Sequence, residues 1–200
     1  MNRALLITVF AALAGGISHA DSMDWITIDT SSLPHGTTGF IDFGFNGGFP
    51  ATATISSFSM TGGSLDSSTV STFGTVSGQL PGTVTLDDDN ADYDEGIGFG
   101  SSIRFLLTLS GTPAGTIGDV FTLSFFNNDF SGSLLTGNIN DGWLAQFQID
   151  PKTGAVTTTA YADPAGGASF ATIQPVPEPA GWFLLAGLFG PVILRVRRRT

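Results

Sequence analysis

The clearest evidence for the fold class lies in the stretch Gly100-Ser101-Ser102-Ile103-Arg104-Phe105-Leu106-Leu107-Thr108-Leu109-Ser110-Gly111. Four large apolar side chains alternate along it with residues that include an arginine and a threonine. A period of two places one set on a buried face and the other on the opposite face, as in a half-buried β-strand. This segment therefore predicts a strand with one face in a core.

The same alternation recurs elsewhere in the chain. Clear examples are Ile41–Phe45, Phe121–Phe125 and Trp143–Ile149. Weaker ones are Trp25–Asp29, Ala51–Phe58, Val70–Val76, Thr83–Leu86 and Val156–Tyr161. No stretch between Asp21 and Gln174 has a convincing helical period. We predict an all-β protein, an antiparallel, jelly-roll-like β-sandwich of eight or nine short strands.

One turn can be predicted in detail. In Asp150-Pro151-Lys152-Thr153-Gly154 the proline suits a type I turn and the glycine suits a left-handed exit. The segments before and after it, Trp143–Ile149 and Val156–Tyr161, should pair as a β-hairpin.

The N-terminus has the pattern of a signal peptide. Arg3 precedes an apolar core, and Ser18 and Ala20 place small residues at the −3 and −1 positions. We predict that signal peptidase cuts between Ala20 and Asp21, so that the protein is exported.

The C-terminus combines a Pro-rich spacer, an apolar segment and a basic cluster. Val176, Pro177, Glu178 and Pro179 precede the uncharged segment Ala180–Leu194, and Arg195, Arg197, Arg198 and Arg199 follow it. Arginines behind an apolar run halt translocation, which predicts one transmembrane helix. This helix is either a temporary segment that a protease removes or, as the alternative, an ordinary membrane anchor that is never cut. About 15 residues span roughly 22 Å, which is short for a ~30 Å hydrocarbon core.

This three-part end resembles the PEP-CTERM sorting signal, which exosortase reads in the inner membrane. The resemblance implies that Val176, Pro177, Glu178 and Pro179 form the recognition element and that the four arginines hold the chain before cutting. It also implies transient residence in the inner membrane, then the cell envelope, outer surface or extracellular matrix, in bacteria that make exopolysaccharide. Ser77–Leu86 and Gly100–Gly111 resemble segments of an uncharacterised family of PEP-CTERM ectodomains, which implies no activity.

The expected organisation has four parts. They are a signal peptide (1–20), a β-sandwich ectodomain (21–163), a linker rich in Ala, Gly and Pro (164–175) and the sorting signal (176–200). All but one of the chain's 17 acidic residues lie between 21 and 175, against two basic ones, Arg104 and Lys152. That charge argues against a nucleic-acid partner. The chain has no cysteine, which excludes disulfides and thiolate metal sites.

The exported part offers little for catalysis. His35 is its one histidine, it lies in the turn-like Leu33-Pro34-His35-Gly36, and no Gly-x-Ser-x-Gly motif is present. A glycosidase needs only two carboxylates, but no pair is distinguished by the sequence. We therefore expect no enzymatic activity.

The densest charge cluster is an acidic run that ends at Glu95. Its carboxylates are Asp87, Asp88, Asp89, Asp92, Asp94 and Glu95. Hard oxygen ligands suit calcium, but Tyr93 and Phe99 stand where an EF-hand needs glycine and glutamate. The default interpretation is a solvated acidic loop, so no cofactor is expected and calcium is left open.

A sugar-stacking platform on one face of the sandwich could be formed by Trp25, Tyr93, Trp143 and Tyr161. Trp143, however, alternates with Ala145 and Phe147, which places it in the core. The sequence thus predicts an exported surface or matrix protein, structural or adhesive in an exopolysaccharide setting. A carbohydrate-binding module is the alternative, and an exported hydrolase is a third.

Overall fold

The computed structural model of the chain describes residues 22–48, 50–87, 90–111 and 116–177, and all the regular structure in these residues is β-strand. The strands in chain order are β1 Ser22–Asp29, β2 Thr38–Asn46, β3 Ala51–Thr61, β4 Ser64–Phe73, β5 Val76–Gly78, β6 Val84–Asp87, β7 Ala91–Gly98, β8 Ser102–Gly111, β9 Val120–Phe126, β10 Trp143–Ile149, β11 Val156–Ala160 and β12 Ala171–Pro175. The prediction of an all-β protein is confirmed.

The strands form two six-stranded antiparallel sheets. The first, called here the β8 sheet, has the order β12-β1-β8-β3-β6-β5. The second, the β2 sheet, has the order β11-β10-β9-β2-β7-β4. Successive strands from β1 to β5 alternate between the sheets, and most strand pairs join segments far apart in sequence.

The core lies between the two sheets. Phe43 of β2 and Phe105 of β8 meet edge to face with ring centroids 5.4 Å apart, which joins one sheet to the other. Ile103, Phe105 and Leu107 have no exposed surface and Leu109 has 2 %, as the alternation predicted. Burying large aliphatic and aromatic side chains stabilises the fold by about 1.5–3 kcal/mol each.

Trp143 departs from the prediction. The register of β10 against β9 shifts between Trp143 and Ala145, as in a β-bulge. Leu144 is fully buried and Trp143 is only partly buried. Because the extra residue shifts the alternation of inward and outward side chains by one position, the Trp143 side chain leaves the inner face.

The linker predicted over 164–175 is corrected at its end. Ala171–Pro175 form β12, which pairs with β1 from Ile28↔Ala171 to Asp24↔Pro175. Ala171 is 5 % exposed. The Ala- and Gly-rich composition before it predicts a linker, but the last five residues complete the β8 sheet.

The hairpin predicted around Asp150–Gly154 is confirmed. β10 and β11 pair from Ala145↔Ala160 to Ile149↔Val156. The Asp150 carboxylate accepts hydrogen bonds from the amides of Lys152 and Thr153, both at 2.8 Å, and Gly154 has a φ of 72°. The glycine supplies the left-handed conformation that closes the turn.

The signals predicted at the two ends lie mostly outside the described residues. These include Ala20 and Asp21, Glu178 and Pro179, the segment Ala180–Leu194, and the arginines at 195, 197, 198 and 199. Val176 and Pro177 are described, and the Val176 amide donates to the Met23 carbonyl at 2.8 Å. In the described part of the chain no helix has the length and apolar character needed to cross a membrane.

Candidate functional site

A groove of about 520 Å³ crosses the outer face of the β2 sheet. Its floor is one continuous row of paired positions over five strands, in the order Gln146, Thr122, Gly44, Asp92 and Phe73. Each of these residues lines the groove. The row exists because the outward positions of β10, β9, β2, β7 and β4 align across the sheet.

Gly44 keeps the centre of the groove low. A Cβ atom at this position would lie 2.7 Å from the Thr122 hydroxyl oxygen, which is closer than Cβ atoms come to other heavy atoms in proteins. Any larger residue would therefore fill the floor and displace Thr122. The glycine weakens the alternation of β2 but leaves room above the sheet.

Trp143 and Tyr161 stand together beside the groove. Their ring centroids are 6.5 Å apart, and both side chains are partly exposed. The Tyr161 hydroxyl donates to the Gln146 amide oxygen at 2.9 Å. Because that oxygen is occupied, the amide nitrogen of Gln146 remains as a donor for a ligand.

Two exposed hydrophobic side chains complete the rim. Phe73 is 64 % exposed and Ile117 is 68 % exposed, and both line the groove. The groove therefore has aromatic rings near each end and polar groups between them. Clustered apolar side chains around a groove are typical of a binding site rather than of ordinary surface.

Three carboxylates meet next to this groove. Asp42 of β2 is paired across the sheet with Asp94 of β7, and Asp92 is two residues away on the same face. One oxygen atom from each of the three carboxyl groups lies within 4.8 Å of the other two. Burial, followed by the charges of Asp92 and Asp94, raises the pKa of Asp42 to about 9, and burial and Asp92 raise the pKa of Asp94 to about 6. Asp42 is therefore protonated at neutral pH and donates to its neighbours.

Of the calcium candidates in the acidic run that the structure describes, Asp92 and Asp94 come together, whereas Asp87 and Glu95 lie elsewhere. Asp87 ends β6 in the β8 sheet, whereas Asp92 and Asp94 lie on the outer face of the β2 sheet. Asp88 and Asp89 lie outside the described residues. The interpretation of the run as one solvated loop is wrong for residues 91–95, because they form part of β7.

Glu95 lies inside the core rather than in the acidic cluster. It has no exposed surface, and it accepts a hydrogen bond from the Tyr93 hydroxyl, which in turn accepts one from the Leu80 amide at 3.1 Å. Burial raises the pKa of Glu95, and hydrogen bonds from Tyr93 and Gln79 partly oppose that rise. The arrangement is a hydrogen-bonded polar pair inside an apolar core.

The four-aromatic platform predicted from the sequence is corrected. Tyr93 is fully buried, and Trp25 lies on the β8 sheet, where the Arg104 guanidinium stacks 4.0 Å from its ring centroid. Only Trp143 and Tyr161 share a surface. Asp42 and the groove floor were not predicted, because no local pattern states which strand lies beside β2.

His35 is remote from both features. It lines a separate cavity of about 750 Å³ formed by the loops β1–β2, β3–β4 and β7–β8. The other residues of that cavity contribute mainly hydroxyl groups, glycines and backbone. This neighbourhood fits the turn histidine that the sequence predicted.

No protein-family model matches this chain, and no curated protein or solved structure is significantly similar to it. The interpretation of the groove therefore rests on its geometry and chemistry.

Proposed function

We propose that the chain is an exported surface or matrix protein that adheres to exopolysaccharide through the groove on the β2 sheet. The observation that carries this proposal is the row from Gln146 to Phe73, with Trp143 and Tyr161 beside one end. Sugar rings stack their apolar faces on aromatic rings and exchange hydrogen bonds with amide, hydroxyl and carboxylate groups. The groove offers all of these side by side.

The geometry favours binding over hydrolysis. A glycosidase places two carboxyl groups on either side of the scissile bond, at least ~5 Å apart. Asp42 instead hydrogen-bonds directly to Asp92 and to Asp94, which leaves no space for a scissile bond between it and either neighbour. A hydrolase is therefore the weaker proposal, and nucleic acid is a poor partner for so acidic a chain.

Glycan binding by the full chain tests the adhesive role. The protein is purified in a detergent without a sugar headgroup, and binding to the producer's exopolysaccharide is measured by calorimetry. Trp143→Ala should weaken binding at least tenfold, because one stacking surface is lost. Trp25→Ala, on the opposite sheet, is the matched control and should not. Equal affinity of Trp143→Ala and the unaltered protein would exclude this groove as the site.

We further propose a jelly-roll-like sandwich for the ectodomain. Its support is the nested pairing of β1 with β8, β2 with β7 and β3 with β6, which is that of a long antiparallel ribbon rolled into two layers. β5 departs from the nesting, because it pairs with β6 rather than with β4.

Sorting by exosortase is also a proposal, supported by the order of Pro177-Glu178-Pro179, apolar segment and arginines. Signal peptidase and exosortase would process the chain while it resides in the inner membrane. Glu178→Ala should then leave it membrane-bound and uncut, and deleting Arg195–Arg199 should impair retention before cutting. Intact mass of the protein from producing cells reads both outcomes and should show Asp21 as the first residue. Release of Glu178→Ala like the unaltered protein would favour a plain anchor.

A further inference from the structure

One side of the groove floor carries hydrogen-bond donors. The other side, called here the acidic wall, carries carboxylates. The Gln146 amide is held by Tyr161 at one side, and the Asp92 carboxylate lines the floor two strands beyond Thr122. Asp42 and Asp94 lie within 4.8 Å of Asp92 and extend the acidic wall along the sheet. A ligand on this floor therefore meets amide and hydroxyl groups on β10 and β9 and negative charge on β7.

No basic side chain of the described residues lines this floor. Arg104 stacks on Trp25 on the other sheet, and Lys152 lies exposed in the β10–β11 turn. His35 lines the separate loop cavity. An anionic group in the groove would therefore approach Asp92 with no positive partner lining the groove, in a site where partial burial strengthens repulsion.

The row also has a direction and a length. It runs across the strands from β10 to β4, which is four interstrand spacings of ~4.8 Å, or roughly 19 Å. Trp143 stands near one end and Phe73 forms the other. That length suits an extended chain of several sugar rings rather than a monosaccharide.

From these observations we propose that the groove holds an extended polysaccharide without negative charge, neutral or amine-bearing, lying across the strands, and that Asp92 excludes chains of uronic acid. The proposal rests on the proposed glycan-binding function. Asp92 accepts hydrogen bonds from sugar hydroxyls or an ammonium group. A uronate carboxylate at the same place would meet a like charge next to two further carboxyl groups, and like-charge juxtaposition is a strong means of rejecting the wrong ligand.

The test compares three probes on the full chain in the same sugar-free detergent. They are cello-oligosaccharides, glucosamine oligomers and mannuronate oligomers, each in a short and a long form. The first two should bind, the longer forms more tightly, and the mannuronate at least tenfold more weakly. Raising the salt concentration should reduce this difference in affinity, because screening weakens the repulsion between the uronate and Asp92.

Two variants assign the selection to Asp92. Asp92→Asn should lower the ratio of the affinity for the neutral oligomer to the affinity for mannuronate at least fivefold. Asp92→Glu, which keeps the charge, should preserve that ratio. Asp29→Asn removes one charge at the exposed end of β1 and keeps an acceptor for Ser31. This control variant should leave the affinity ratio unchanged.

The outcomes separate the two proposals. If mannuronate binds as tightly as the neutral oligomer, or if Asp92→Asn leaves the ratio unchanged, the selection is wrong while glycan binding stands. If no oligomer of any class and no exopolysaccharide binds, both proposals fail.

Discussion

Among single residues, Asp42 should dominate the pH dependence of stability. Its pKa rises from 3.8 to about 9 on folding, so the folded chain holds a proton that the unfolded chain releases at lower pH. The free energy of unfolding should therefore fall as the pH rises from about 4 to about 9, the reverse of the usual carboxylate behaviour.

Asp42→Asn tests this behaviour. Asparagine donates to the neighbouring carboxylates at every pH, so the variant should match the wild type near pH 4 and exceed it by about 1–3 kcal/mol near pH 9. Urea unfolding at several pH values measures the difference. Asp29→Asn is the control, since its carboxylate is exposed and hydrogen bonds from Ser31 lower its pKa. A constant difference between variant and wild type would contradict the shared-proton interpretation.

Tyr93 has a structural role that the sequence did not predict. Its hydroxyl accepts a hydrogen bond from the Leu80 amide and donates one to the buried Glu95 carboxyl. Tyr93→Phe should lower the free energy of unfolding by about 1–3 kcal/mol, because two buried polar groups lose a partner. Tyr161→Phe removes a hydroxyl near the surface and should cost less. Equal losses in the two variants, measured by urea unfolding, would show that the buried pair is unimportant.

At the level of secondary structure, β12 is the element whose loss should matter most for its size. It covers the edge of β1 along five pairs, and Ala171 reaches the core. A chain shortened after Asp163 should melt several degrees lower and aggregate more readily, since β1 becomes an exposed edge. A chain shortened after Pro177, which keeps β12, is the control. Identical melting temperatures would restore the linker interpretation of residues 171–175.

At the level of the whole molecule, the acidic composition should not make this a strong calcium binder. The described carboxylates of the acidic run divide between two sheets and the core, and Asp42, beside Asp92 and Asp94, holds a proton near neutral pH because its pKa is raised to about 9. Millimolar calcium should therefore change the melting temperature by no more than matched ionic strength in sodium chloride. A rise of several degrees through mass action, lost in Asp42→Asn, would establish a calcium site there.

Local sequence was sufficient for the inner faces of the strands. The residues at Ile103, Phe105 and Leu107 alternate with period two, and their burial follows because only one face of a strand can join the core. The β10–β11 hairpin was equally predictable, since Asp150, Pro151 and Gly154 encode the turn within five residues. The bulge at Trp143 was not, because the alternation of β10 carries no sign of the added residue.

What the sequence by itself determined is therefore the strand class, the core faces and the local turn, all of which depend on neighbours in the chain. Only the tertiary structure decided that Asp42 lies beside Asp94, that Glu95 is enclosed in the core and that Gln146, Thr122, Gly44, Asp92 and Phe73 form one row. The physical reason is that a period of two states which face of a strand is buried, whereas its partners are selected by packing between segments far apart in the chain.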